Sequence, residues 1–399
     1  MDVVLLLAVS RDMYFKDIVG QEGVKERLIR MAHSGRISHA QLFYGPEGSG
    51  ALPLALAFAR YLNCQGRRHP DEASSPATDA CGTCPSCVKF DKLIHPDLHF
   101  IFPVATTPQV PKNPVSKNFY EKWRSFILNH GGYGNLNDWY NEIGIEKKQG
   151  LINTEDCSVI LNTLSYKSYQ GGYKIMIIWM VEKLFHAAAL KILKVLEEPP
   201  DQTLFLLVTE NPEQIIRTIR SRTQMMLIPP VEDPALRERL QSIPTLEPAR
   251  VNDIVRLTNG NYREALRLVR EEAPDQELFE RFRHWMRLCF RFSIPEILDL
   301  SRQMAQEGRE AQKNFLRYAL RIIRESLLID LRGEALCRLT QGELEFVRNF
   351  SPYVNLSNGN AFAQMLESAI QHVERNANPS ILFTWLSLRI SGLLRMKPA

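Results

Sequence analysis

Two stretches of this chain carry residues whose types and spacing could do chemistry. The first is FYGPEGSGALP, residues 43–53, in which Gly45, Gly48 and Gly50 form a turn between an apolar run and an alanine-rich one. This is the outline of a phosphate-binding loop, GxxxxGK followed by Ser or Thr. In such a loop the glycines let backbone N–H groups curl around phosphates, the lysine neutralises charge and the hydroxyl holds Mg²⁺. Here Ala51 stands at the lysine position and Leu52 at the hydroxyl position, and Pro53 removes an N–H from the helix entrance. The curl is kept without its charge or its metal ligand, so no ATP is expected in this site. A chance glycine turn is the plainer alternative, weakened by the strand-like run before it and the helical run after.

The second stretch is Cys64 followed, after sixteen residues, by CGTCPSC, which adds Cys81, Cys84 and Cys87. Four thiolates suit tetrahedral zinc, and a CxxC turn can aim two of them at one ion without strain. A four-cysteine set leaves no open position for water, so the expected role is structural. Unliganded thiols or a redox pair are the alternatives. Clustering of four of the seven cysteines, with Cys157, Cys289 and Cys337 scattered, fits a metal site in a reducing compartment better than a disulfide framework.

These residues need elements to hold them. Short apolar runs, AQLFY (40–44), LHFIF (98–102), YKIMIIWMV (173–181), TLFLLVT (203–209) and QMMLI (224–228), alternate with helical periodicities, as in a parallel sheet covered by helices. A phosphate-loop ATPase also ends a later buried strand in an Asp-Glu pair that orients Mg²⁺ and water. Here KIMII runs instead into Trp179 and Met180, with Glu182 a poor substitute. Pro229, Pro230 and Pro234 mark a boundary, after which a small helical segment follows, with NGN as a turn and Asn261 and Glu264 spaced as a capping box. From about 275 onward only helical periodicities remain. Residues 103–150, rich in Pro, Gly and Asn and studded with Tyr and Trp, read as an insertion between two strands: a surface excursion anchored by its aromatics, or a partner-docking surface.

Composition narrows the class of protein without choosing a partner. At 399 residues, 45% hydrophobic and 24% charged, the chain suits a globular protein of two or three domains. A formal charge of +4 neither demands nor excludes nucleic acid. The opening MDVVLLLAVSRDM has an acidic residue beside its start and no basic region, so it is not read as a secretory signal. It reads as mature sequence or as a mis-started one, and in the second case Met13 would be the start and residues 1–12 extraneous. No apolar run approaches the roughly 20 residues of a membrane span.

Taken together, FKDIVGQE (15–22), SHAQLFYGPEGSG (38–50), the four cysteines, HPDLHFI (95–101), ALKILKVLEEPP (189–200) and TIRSRTQ (218–224) resemble the δ′ subunits of bacterial DNA polymerase III clamp loaders, within the AAA+ ATPases. The resemblance implies an α/β AAA+ module with a parallel sheet over residues 1–230, carrying a zinc-binding insertion (motif 64–87). A helical lid (231–273) and an all-α collar used in assembly (274–399) would follow. Motor subunits of that loader keep the lysine and the acidic pair, whereas δ′ subunits commonly have degenerate nucleotide sites.

The family's SRC motif carries an arginine finger that enters the neighbouring subunit's ATP site. SRTQ keeps that arginine as Arg222 and has Thr223 in place of the cysteine. On a rim, Arg222 alone would read as a solvated charge; the resemblance makes it a catalytic group acting in trans. Arg263 resembles the nucleotide-sensing arginine of AAA+ lids, and without nucleotide a salt bridge is the expected use. Arg283, Arg287 and Arg291 are spaced for a basic helix stripe or a solvated face. The implied partners are the motor (γ/τ) and δ subunits, with the sliding clamp and primed DNA reached through the complex, in the cytoplasm. An active AAA+ motor and a free-standing zinc-containing DNA-binding protein are the competing readings.

Overall fold

The computed structural model describes residues 14–66, 79–146, 148–158, 172–244, 246–270, 274–332, 337, 339–355 and 357–396. The N-terminal residues 1–12 and most of the spacer between Cys64 and Cys81 lie outside them. The chain forms two compact units, Met1–Arg270 and Glu271–Ala399.

The first unit is built on five parallel strands, β1 (Ala40–Tyr44), β2 (Leu98–Ile101), β3 (Lys174–Trp179), β4 (Thr203–Thr209) and β5 (Gln224–Leu227), in the order β2-β3-β4-β1-β5. Every residue of β3 and β4 is buried, which is why both read as unbroken apolar runs rather than alternating ones. In register, Leu42 faces Leu207 and Met225, and Ile177 faces Leu206 and Phe100. One sheet face presents Phe43, Ile175, Ile177, Leu204 and Leu206 to a core shared with α2 (Ala51–Asn63). The other presents Leu42, Met176, Ile178, Phe205 and Leu207 to α6 (His186–Glu197). The order matters for function. Because β1 lies between β4 and β5 while the chain leaves it for β2 at the far edge, a crevice opens at the carboxyl ends of β1 and β4, the place where open α/β sheets bind ligands.

Around this sheet, α1 (Glu22–His33) precedes β1, α3 (Pro85–Asp91) follows the cysteine motif, and α7 (Arg217–Arg220) lies just before β5. Three further helices, α8 (Asp233–Gln241), α9 (Pro248–Thr258) and α10 (Tyr262–Arg270), belong to the same compact unit and share a small core of Leu236, Leu240, Ile254 and Ala265.

The insertion between β2 and β3 differs from a surface excursion. It holds α4 (Tyr120–His130) and α5 (Leu136–Ile143), and Trp123, Phe126, Ile127 and Trp139 are completely buried in the main core. Phe102 stacks on Trp123 at 4.2 Å, and Trp123 meets Trp139 and Trp179, each at 5.1 Å between centroids. The Trp139 indole donates to the Pro103 carbonyl at 2.8 Å. Its polar average composition hid two amphipathic helices whose apolar residues fall at i, i+3 and i+4.

Among its described residues the second unit has helices and no strand: α11 (Pro274–Arg291), α12 (Ile294–Gln306), α13 (Arg309–Arg332), α14 (Gln341–Phe350), α15 (Gly359–Glu374) and α16 (Pro379–Leu393). Trp285, Phe315 and Phe383 pack at its centre, and the Trp285 indole donates to Ser387 Oγ at 2.8 Å. On α11, Arg287 and Arg291 are exposed, while Arg283 pairs with Glu280. No helix among the described residues is long and apolar enough to cross a membrane.

Candidate functional site

The glycine loop sits where the sheet order places it, between the end of β1 and the start of α2. Its glycines serve close packing. Gly48 has φ +75°, and a Cβ there would stand 2.0 Å from the Asn261 side-chain oxygen; one on Gly45 would stand 2.1 Å from the Ile228 carbonyl. Leu52 and Pro53 are buried at the opening of α2, and Ala51 has no polar atom to offer.

The insertion closes over this loop. Pro53 lies against Gly132, where an added Cβ would come within 3.0 Å of its ring, and the Tyr133 hydroxyl lies against Gly50 while accepting from Val19 N at 3.4 Å. Trp179 and Met180 fill the side where an acidic pair would stand in an ATPase. The space left among the loop, Gly132–Gly134, Trp179, Met180 and Glu210 is about 30 Å³, the share of roughly one water in the liquid.

Glu47 and Glu210 line what remains, and Glu182 lies beside Glu210. Glu182 accepts from the Thr209 hydroxyl at 2.8 Å at the end of β4, and burial raises its pKa. The Glu210 carboxyl is pushed up to about 7, by burial first and then by the neighbouring Glu47 and Glu182 charges. The GGYG at 131–134 and the Glu210 that follows β4 went unread as site residues. The doubled glycine beside a tyrosine and the acid at a strand's carboxyl end were the available signals.

Arg263, at the start of α10, is engaged by two carboxylates. Its Nε and Nη2 each donate to one oxygen of Asp138 at 2.7 Å, and Nη1 donates to Glu47 Oε1 at 3.1 Å. Burial works against ionising Asp138, but Arg263 and the Asn135 N–H outweigh it and hold the carboxyl below its ordinary range. The expected capping box at Asn261 is half made. Asn261 Oδ1 accepts from Glu264 N at 3.0 Å, while the Glu264 carboxylate pairs with Arg267.

The four cysteines come together as their spacing requires. Cys64 follows the last turn of α2 and Cys84 caps α3, and the four sulfurs lie within 4.8 Å of one another. Tetrahedral bonds of about 2.3 Å put sulfurs about 3.8 Å apart, and Cys81 Sγ and Cys87 Sγ are 4.0 Å apart. Backbone N–H groups of Cys81, Cys84 and Cys87 donate to the sulfurs of Cys64, Cys81 and Cys84 at 3.2, 3.4 and 3.5 Å, bonds that suit thiolates. Burial opposes ionisation of Cys81, yet the Thr83 and Cys84 N–H groups outweigh it and bring the thiol down to about 6. The cluster can hold a metal ion.

Behind the cluster, Arg60 is 2% exposed, pairs with Asp91 at 2.8 Å and lies 3.9 Å over the Tyr14 ring. Tyr14 packs against Cys64 and Cys87, tying the start of FKDIVGQE to the cysteine module.

Arg222 lies just past α7, remote in sequence from the loop and half-exposed. Its Nε donates to Glu197 Oε1 at 2.7 Å and its Nη1 to the Thr218 carbonyl at 3.1 Å. Nη2 also contacts Glu197.

A parallel sheet with a glycine loop after its first strand, and a helical segment bonded to that loop, resembles the AAA+ fold. A family model described as "DNA polymerase III, delta subunit" matches residues 20–232, more than half of the chain, and the chain belongs to that family of clamp-loader subunits. It is 29% identical over 233 residues to the DNA polymerase III subunit gamma/tau of Mycobacterium tuberculosis, covering 58% of this chain and 32% of that one. It is 26% identical over 253 residues to the DNA polymerase III subunit delta′ of Bacillus subtilis, covering 63% of this chain and 60% of that one. The chain thus spans about a third of the length of the gamma/tau relatives it matches. Among solved structures, a gamma subunit-related protein from Thermotoga maritima aligns with 93% of this chain and 99% of its own, at 13% identity and a TM-score of 0.37.

Proposed function

We propose that this chain is a δ′-type clamp-loader subunit that does not bind ATP at its own loop. It would help assemble the loader and complete a neighbouring subunit's ATP site with Arg222 while the sliding clamp is placed on primed DNA. The observation that carries this reading is the loop itself: Ala51 and Leu52 supply neither charge nor metal ligand, and the insertion leaves about 30 Å³ beside them. A nucleotide pocket is on the order of ten times larger.

Arg222 suits a role in trans because its guanidinium is held from one side. Of five N–H donors, Nε and Nη2 face Glu197 and Nη1 bonds Thr218, so each terminal nitrogen keeps one N–H for an anion on another chain. Residues 231–273 and 274–399 would be the lid and the collar. Four clustered free thiols suit structural zinc in the reducing cytoplasm. When bound, the metal would supply cross-linking of the α2 terminus to α3 and no reaction chemistry. Partners would be the γ/τ motor subunits and δ, with DNA polymerase III served through the complex.

Equilibrium binding of labelled ATP to the isolated chain tests the reading. Affinity weaker than millimolar is the expected result; magnesium-dependent micromolar binding would favour an active motor instead.

A further inference from the structure

We infer that Asp138 is a built-in anion that, through Arg263, locks the helical segment α8–α10 against the insertion helix α5 beside the glycine loop. The inference stands on contacts within the first unit, whether or not the chain completes a neighbour's site.

Three segments distant in sequence converge on two carboxylates. Arg263 of α10 makes a two-pronged contact with Asp138 of α5, both bonds 2.7 Å, and a third bond to Glu47 of the loop at 3.1 Å. Glu47 is in turn bracketed by Asn135 Nδ2 from the insertion at 3.0 Å and Asn261 Nδ2 from the helical segment at 3.4 Å. Tyr262 N donates to the Gly48 carbonyl at 3.3 Å, and the Tyr262 ring meets Tyr133 edge-on at 4.7 Å. Parallel N–H···O bonds between guanidinium and carboxylate fix orientation as well as distance. The Arg263 and Asp138 side chains are 21% and 20% exposed, so water competes only partly. Asp138 is itself held, since Asn135 N donates to its Oδ2 and Asn135 Oδ1 accepts from its N–H. The helical segment is thereby tied to the loop by charges that do not come and go.

Hydrogen–deuterium exchange of the full chain, without nucleotide, tests this with Asp138→Asn, Arg263→Gln and the double variant. Asn at 138 removes the charge and one of the two acceptor oxygens, leaving a single oxygen for the α5 cap or for Arg263. Each single variant should speed exchange of amides 262–270 by about tenfold, the scale of a charge-assisted hydrogen-bonded pair. The double variant should add little to either, and β3 and β4 should be unaffected. Unchanged exchange at 262–270 in either single variant, multiplied effects in the double, or a change confined to 136–143 would overturn the lock. ATP binding by the wild-type chain would bear on the proposed function and leave this comparison readable.

Discussion

Arg222 and Glu197 are joined by an Nε–H···Oε1 bond of 2.7 Å on a half-exposed rim of the first unit. Exposed pairs of this kind contribute about 0–1 kcal/mol to folding. Arg222→Ala should therefore leave the unfolding midpoint of the chain within a degree or two while lowering ATP turnover of the assembled loader. An arginine finger is worth roughly 10³ to 10⁵ in rate in well-studied phosphoryl-transfer systems. Steady-state ATPase at saturating subunit concentration decides the matter, and undiminished turnover with intact assembly would remove Arg222 from the mechanism.

Metal content of the purified chain is the direct check on the cysteine cluster. Zinc should be present at ~1 per chain, as for a four-cysteine structural site. Cys84→Ala should lower that occupancy and destabilise the α3 region, because Cys84 both offers a sulfur to the cluster and caps that helix. Stripping the metal with a chelator at constant pH should lower the thermal midpoint, since binding free energy at such sites is folding free energy. A chain that is metal-free as purified and equally stable would return these residues to the status of packed thiols.

Glu210 gives the loop region a pH signature. Its folded pKa, about 7, lies above the ordinary 4.5 of a free glutamate. The folded chain therefore binds the proton more tightly than the unfolded one. Its contribution is fully present below about pH 4.5 and is lost as pH rises through about 7, at most about 3 kcal/mol by proton linkage. Glu210→Gln should accordingly stabilise the chain more at pH 8 than at pH 5.5, as read from chemical denaturation at both. The charged groups facing it are Glu47, Glu182, Arg263 and Lys183. Equal effects at the two pH values would mean that the carboxyl is solvated and ionised throughout.

Trp123→Ala measures whether the insertion belongs to the core. A fully buried tryptophan stacked at 4.2 Å on Phe102 should cost about 3–5 kcal/mol when truncated. A side chain on a surface excursion would cost about 0.5 kcal/mol or less. Urea titration of the two chains separates these outcomes.

The sheet was legible because its central strands β3 and β4 are buried on both faces and so read as continuous apolar runs. All five strand segments expected from sequence contain the observed strands. The cysteine cluster was legible because CxxC spacing constrains geometry locally. The insertion was not, because its polar loops dilute the two helices that carry Trp123 and Trp139. Nor was the partner of Arg263: a salt bridge could be anticipated from an arginine without a ligand, but Asp138 lies 125 residues away and only the fold brings the two together. Trp179 and Met180 were readable as missing acids, not as the wall of a crevice that also needs Tyr133.

The close approach of Asn261 to Gly48 bears on how reversible the loop's divergence is. Two substitutions, Ala51→Lys and Leu52→Thr, would restore the letters of a phosphate loop. They would not restore its room, because Gly132 rests on Pro53, Tyr133 on Gly50 and Asn261 on Gly48. The shape of this loop is thus set from outside it, by an insertion whose tryptophans belong to the hydrophobic core.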